Sequence, residues 1–406
     1  MHKIKIMSLI EWMIAFSCIF LQYKSAILTY GMIILLIAMI MINFIKKEII
    51  IDKRFLFVGI IILFQEIITI LVSSNTLENV FKNGLLIILV VLICSQTQQI
   101  DSNNSFFHKL KIVALLSTIG IFIQSIQIYI LHQTVNPILL LFQTKQQLLV
   151  WVSNTNRPCG FFSEPQVYCS YMIPILIICM EKRDFKFSLL LSIGILLSGS
   201  SLGIIALMIL WGKQLFCSNM KSYQKFFLVS FAVIAIIIFV NQDTFLYSRN
   251  KLFNIFTGYN TFSNFSSLNE YSYSNYMRLL KSWVTFFELP LFDKILGIGI
   301  NNLSNFVINR NISFSWNFLW STNYYYSSAG GVFLELGFIV GCIYYAFIIN
   351  NYKKQNNIAK NILLFIIIQS FSTQMFFNGV FIYNILLCYA FKTIIKEDNV
   401  IYKIKF

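Results

Sequence analysis

The chain alternates long apolar runs with short polar or basic breaks. A helix of roughly 20 residues crosses about 30 Å of hydrocarbon, with a wide tolerance. Twelve runs approach that length: Met7 to Gln22, Ala26 to Ile45, Phe55 to Val72, Val80 to Cys94, Leu110 to Leu131, Gln166 to Met180, Phe187 to Leu197, Leu202 to Phe216, Phe226 to Val240, Gly331 to Ile349, Ile362 to Phe377 and Val380 to Ile395. The seventh and eighth are short and divided only by Ser198-Gly199-Ser200-Ser201, so two helices or one broken helix fit the pattern. The pattern predicts an all-α polytopic integral membrane protein of about 12 transmembrane helices.

Two polar stretches are too long to be tight turns. They divide the chain into helices 1–5 (1–131), a first long loop (132–165), helices 6–9 (166–240), a second long loop (241–330), and helices 10–12 with a tail (331–406). Basic residues concentrate in cytoplasmic loops near helix ends. With the N-terminus inside, the inner segments collect Lys3, Lys5, Lys46, Lys47, Lys53, Arg54, Lys109, Lys111, Lys182, Arg183, Lys186, Lys353, Lys354 and the C-terminal lysines. Both termini are then cytoplasmic and both long loops face outward. Joining the seventh and eighth runs would put every later basic cluster outside, so the charge bias favours two helices.

Composition agrees with that class. Hydrophobic residues make up 57% and charged residues 12% of the chain, with a mean hydropathy of +0.72, which excludes a water-soluble domain of this length. The net charge of +15 is mostly positive-inside signal. No basic stripe with interleaved aromatics occurs in a soluble segment, so nucleic acid is not an expected partner. The first apolar run lacks a small-residue cleavage site and reads as a signal anchor. The eight cysteines are scattered and the three histidines share no ligand spacing with them, so neither a disulfide framework nor a metal site is expected.

Candidate chemistry lies in the outward loops. The first closes on Arg157-Pro158-Cys159-Gly160-Phe161-Phe162-Ser163-Glu164-Pro165. Its prolines restrict both ends, Gly160 permits a turn, and the phenylalanines can anchor in apolar surroundings. Arg157 offers a planar fork suited to phosphate or pyrophosphate, and Glu164 could accept a proton from a sugar hydroxyl. The alternative is that the two residues pair and brace the loop. In the second loop, Ser274 to Trp283 reads as a short helix containing Tyr276, with Arg278 and Lys281 on one face, suited to a diphosphate or simply solvated. Arg249 adds a cation. The Gly297-Ile298-Gly299-Ile300-Asn301-Asn302 turn could bring backbone amides to a phosphate, although it lacks the Rossmann context. Glu335 and Glu66 fall within spans, where ionisable residues are candidates for function. Glu335 is favoured because its span follows the loop that carries Arg278, whereas Glu11 and Glu66 read as polar contacts between helices.

The order of Arg157 to Pro165, Ser198 to Gly203, Asn275 to Arg278, Gly297 to Asn302 and Glu335 to Gly341 resembles the O-antigen polymerase (Wzy type) family, across about two thirds of the chain. The resemblance implies an enzyme of the bacterial inner membrane that joins undecaprenyl-pyrophosphate-linked oligosaccharide repeat units at its outer face. In that reaction the charge that gathers on the leaving pyrophosphate would call on Arg157, Arg278 and Arg249, and Glu164, or failing it Glu335, would act as general base; Lys281, Gly297, Gly299, Asn302 and Tyr276 would be further substrate contacts. Neither cofactor nor metal is implied; membrane lipid and a chain-length regulator protein would be partners. Related ligases usually show a histidine in the second outward loop, and this one has none. The Ser198 to Gly203 segment lacks the arginine that commonly follows the serines. A ligase-type transferase and a lipid-linked oligosaccharide flippase or transporter are the alternatives.

Overall fold

The computed structural model describes residues 2–25, 28–100, 104–134, 157–217, 222–223, 225, 229–230, 276, 278–314, 325–353, 356–373, 378–391 and 401–405. Helices dominate them. In chain order they are α1 (His2–Phe20), α2 (Tyr30–Lys46), α3 (Lys53–Val72), α4 (Leu77–Gln96), α5 (Asn104–Ser125), α6 (Pro165–Glu181), α7 (Phe185–Leu197), α8 (Ser201–Cys217), α9 (Lys281–Glu288), α10 (Leu291–Leu296), α11 (Leu303–Arg310), α12 (Ser328–Lys353), α13 (Asn357–Ser370) and α14 (Gly379–Ala390). A π-helical turn, Ile126–Ile130, extends α5. Among the described residues four segments are long and apolar enough to cross a membrane: Lys53–Val72, Leu77–Gln96, Asn104–Ile130 and Ser328–Tyr352. Shorter apolar helices accompany them. Of the ninth expected span, Phe226 to Val240, all but residues 229–230 lie outside the described residues. The segment around Ser198 resolves as two helices, α7 and α8, parted by a turn in which Gly199 has φ +64°.

The helices are apolar outside and more polar inside. On α3, Phe57, Ile60, Phe64, Ile67 and Leu71 recur at helical spacing and are exposed, whereas Gln65, Glu66 and Thr69 are buried. Water would select the reverse arrangement; hydrocarbon selects this one, because buried polar groups can bond one another there. On α4, Phe81, Leu85, Ile88 and Leu92 form a similar exposed stripe.

The chain forms two compact units, and the division falls within α5: residues 1–110 with 276–406, and residues 111–275. In the first unit, β1 (Lys24–Ser25) pairs with β2 (Leu28–Thr29) between α1 and α2. Strand β3 (Glu48–Asp52), between α2 and α3, pairs antiparallel with β4 (Ile401–Lys405) from the C-terminal tail. The backbone of β3 is also held by the end of α4: Gln96 Nε2 donates to Ile50 O (2.6 Å), and Asp52 N donates to Ser95 Oγ (3.1 Å). Asp52 then caps α3, accepting from Arg54 N at 2.9 Å. At this same end Lys46 Nζ donates to Gln99 O, and elsewhere in the unit Lys109 pairs with the buried carboxylate of Glu11.

In the second unit, α6 packs against α7 and α8. Asp184 caps α7 and forms an ion pair with Lys111 of α5. The Thr118 hydroxyl meets the Tyr168 hydroxyl at 3.0 Å and ties α5 to α6.

Candidate functional site

The candidate residues fall in both units. In the second unit the Arg157 to Pro165 segment is an ordered loop leading into α6. Pro165 occupies the first helical turn, where a missing N–H costs nothing. The loop turns back along α5. Gly160 has φ +62°, and a Cβ there would lie 3.2 Å from Ser117 O and 3.5 Å from Ile121 Cδ1. Ser117 is roughly three turns before the helical run ends at Ile130. Phe162 is fully buried, stacked on Tyr171 and edge-on to Tyr168, both inside α6.

Irregular backbone at that depth needs internal hydrogen-bond partners. Phe162 N donates to Cys159 O at 3.0 Å. The amides of Cys159 and Gly160 both donate to Gln124 Oε1, at 2.8 and 2.6 Å. Arg157 and Glu164, at the two ends, are half-buried. Burial pushes the Cys159 thiol up to about 12; the Arg157 guanidinium opposes that shift and the Glu164 carboxylate reinforces it. Both charged groups therefore act on the interior of the loop.

The Ser198-Gly199-Ser200-Ser201 turn adjoins this loop. Ser198 Oγ lies 3.4 Å from Cys169 Sγ, in the second turn of α6. Tyr129, carried by the π-helical turn, donates to Leu197 O at 2.9 Å and is within electrostatic reach of Arg157. Tyr129, at the end of α5, thus bonds the residue before the Ser198 turn and feels the charge of Arg157.

In the first unit the Gly297 to Asn302 turn fits into a break in α12. The expected tenth span is not one continuous helix: Gly337 has φ +75° and interrupts it. Ile298 N donates to Leu334 O at 3.1 Å and Gly299 N to Glu335 O at 2.9 Å, using carbonyls beside the break. Gln65 Nε2 donates to Glu335 O and to Leu296 O. Glu66 Oε1 accepts from Ile300 N at 2.7 Å, and Glu335 Oε1 accepts from Asn301 N at 2.8 Å and from the Tyr326 hydroxyl. Burial, reinforced by the neighbouring Glu335 carboxylate, holds the Tyr326 phenol well above its ordinary range, so it remains the donor. Asn83 Nδ2 bonds both Ile300 O and Glu66 Oε2. At the turn's flank, Ser73 Oγ donates to Asp293 Oδ1 and Gly297 O, while Asn302 Nδ2 donates to Ile298 O and Ser73 O.

This geometry bears on three expectations. Every amide from Gly297 to Asn302 already donates within the protein, so the turn does not offer its N–H groups to a phosphate; Gly297 and Gly299 serve close packing instead. Glu335 is 2% exposed and its Oε1 accepts from Asn301 N and the Tyr326 hydroxyl, so it anchors the turn. The helix expected from Ser274 to Trp283 is present in part: Tyr276, Arg278 and Leu279 are helical, Leu280 N donates to Tyr276 O at 2.9 Å, and a turn at Leu280 leads on into Lys281–Glu288. Lys281 and Tyr276 are buried and Arg278 is half-buried, so Arg278 and Lys281 do not share an open face. Burial pushes the Lys281 ammonium down to about 7, which weakens it as a fixed cation at neutral pH. Arg249 lies outside the described residues.

Sequence reasoning passed over Gln124, Tyr129, Gln65 and Asn83. Their signal was available: each is a polar side chain in an otherwise apolar helix, and such a group needs a partner. Among the described residues no cluster of three or more His, Cys, Asp or Glu side chains could hold a metal ion. No family model matches the chain, and no curated protein or solved structure matches it.

Proposed function

We propose that this chain is a membrane glycosyltransferase that polymerises undecaprenyl-pyrophosphate-linked oligosaccharide repeat units, into O-antigen or capsular polysaccharide, at the outer face of the bacterial inner membrane. The proposal includes about twelve crossings with both termini cytoplasmic. The observation that carries it is the Arg157 to Pro165 loop, folded back along α5 with an arginine and a glutamate left half-buried at its ends. Tyr129, which bonds Leu197 O beside the Ser198 turn and feels the charge of Arg157, links this loop to the second motif in the resemblance and adds support.

The acceptor sugar hydroxyl attacks the anomeric carbon of the donor on the face opposite the pyrophosphate. A new C–O bond forms as the bond to the phosphate oxygen breaks, and undecaprenyl pyrophosphate leaves with the electron pair. The hydroxyl proton passes to Glu164, and the anomeric centre inverts. Arg157 offsets the charge that gathers on the leaving group, with Arg278 and Arg249 as further cations; such a donor commonly contributes about a hundredfold in rate.

The interrupted α12 beside two buried acids favours one other reading, because secondary transporters place sites at broken helices. Here the break is filled by the chain's own Gly297 to Asn302 turn, which leaves a transporter second.

The test is the gel profile of surface polysaccharide from cells lacking the gene, complemented at matched protein level. The expected result is a single-repeat band without a ladder, restored to a ladder by wild type and not by Arg278→Ala. Arg157→Lys, which keeps charge but loses the fork, should cut polymer at least about tenfold. A full ladder in the deletion strain overturns the proposal, and accumulation of lipid-linked polymer points to a ligase.

A further inference from the structure

We infer that Gln124 is a positioning residue that sets the place of Arg157 for transfer. The inference rests on the transfer reading above and assigns a role to a helix residue outside every recognised motif. Gln124 is buried in α5, where an unbonded amide would be strongly disfavoured. Its Oε1 accepts from two consecutive backbone amides, Cys159 N at 2.8 Å and Gly160 N at 2.6 Å. Those donors stand two and three residues after Arg157, and the residue between is Pro158, whose ring fixes φ. Few free dihedrals therefore separate the clamped amides from the Arg157 Cα. On the other side, Gly160 abuts Ser117 O of the same helix, and Phe162 is wedged between Tyr168 and Tyr171. The loop is thus fixed against α5 by one side-chain oxygen and against α6 by one ring.

Cys159 supplies a reporter independent of glycan transfer, because its thiol is buried by the same clamp. Gln124→Leu removes the acceptor while preserving bulk, and Gln124→Glu keeps an oxygen at the same reach. Alkylation of Cys159 by a membrane-impermeant maleimide in right-side-out vesicles is read by peptide mass spectrometry, alongside turnover of an isolated lipid-linked repeat.

In Gln124→Leu, Cys159 labelling should rise at least about tenfold and kcat should fall at least about tenfold with KM little changed, as expected when a group acting on the transition state is misplaced. Gln124→Glu should match wild type in both. Should Gln124→Leu fail to accumulate, Gln124→Asn, with its carbonyl withdrawn by about 1.5 Å, should show the same changes in smaller measure. Unchanged Cys159 protection in the variants overturns the clamp. Labelling that rises while kcat holds overturns the positioning role. If wild type itself shows no turnover and the deletion strain keeps its ladder, the transfer reading fails, and the Cys159 result still decides whether Gln124 holds the loop.

Discussion

At Gly297 and Gly337 two backbones approach as closely as side chains ordinarily do. A Cβ on Gly297 would stand 2.3 Å from Glu335 O and 2.4 Å from Gly337 N, and one on Gly337 would stand 2.2 Å from Ile295 O. Both residues also have φ in the left-handed region. No flexible side chain can give way, so Gly297→Ala should combine overpacking of about 1–3 kcal/mol with about 1–3 kcal/mol for a backbone conformation, φ 81° and ψ 165°, that essentially only glycine adopts. Thermal unfolding in detergent should show a clear fall for either alanine variant relative to Gly212→Ala, where a Cβ meets nothing within 4 Å. Equal midpoints for all three would mean the backbones are not in contact. The sequence showed that this turn needed glycine but not why: a bound phosphate and a second backbone both demand the absence of a Cβ, and composition cannot tell one from the other.

At the scale of elements, the helices were legible because hydropathy follows each span closely: the expected Phe55 to Val72 lies within Lys53–Val72, and Leu202 to Phe216 within Ser201–Cys217. The break in α12 was not legible, because Phe333 to Val340 stays apolar apart from Glu335 and the kink depends on a partner segment more than thirty residues away. The same holds for Glu66, whose backbone partner Ile300 is 234 positions distant. In the second unit the Arg157 loop was legible as a turn, but its depth along α5 depends on Gln124, which no local pattern connects to it. The two acids yield a prediction about elements. Glu66→Leu leaves the buried Ile300 N–H without its acceptor, and Glu335→Leu leaves the buried Tyr326 hydroxyl without its acceptor and releases Asn301 N–H; each unmatched buried donor costs about 1–3 kcal/mol. Because both acids, one on α3 and one on α12, hold adjacent residues of one turn, the second loss should matter less once the turn is released. The double variant should then be less destabilised than the sum of the singles by at least about 1 kcal/mol. Strict additivity in denaturation midpoints would show that the turn is not a shared element.

For the whole molecule, the β3–β4 pairing sets a constraint that no single helix can. Residues 48–52 leave α2 and enter α3, whereas residues 401–405 follow the last helix, yet the two segments hydrogen-bond as neighbouring strands. Two strands so joined must lie on the same side of a bilayer, so an even number of crossings separates them. The proposed topology places ten crossings between them and both segments in the cytoplasm, as the clustering of Lys46, Lys47, Lys53 and Arg54 with the C-terminal lysines requires. Ile51 and Tyr402 are register partners, and paired strand residues bring their Cα atoms about 4.5–5.5 Å apart, close enough for a disulfide. Ile51→Cys with Tyr402→Cys should therefore cross-link under a mild oxidant, whereas Ile51→Cys with Ile404→Cys, two register positions removed, should cross-link far less. In intact cells both cysteines should resist an impermeant thiol reagent and react after permeabilisation. Labelling of one but not the other before permeabilisation would break the even-crossing rule and the strand pairing together. Labelling of both would keep the pairing and invert the molecule, placing the Arg157 loop on the cytoplasmic face, away from the outward-facing donor that the proposed transfer needs.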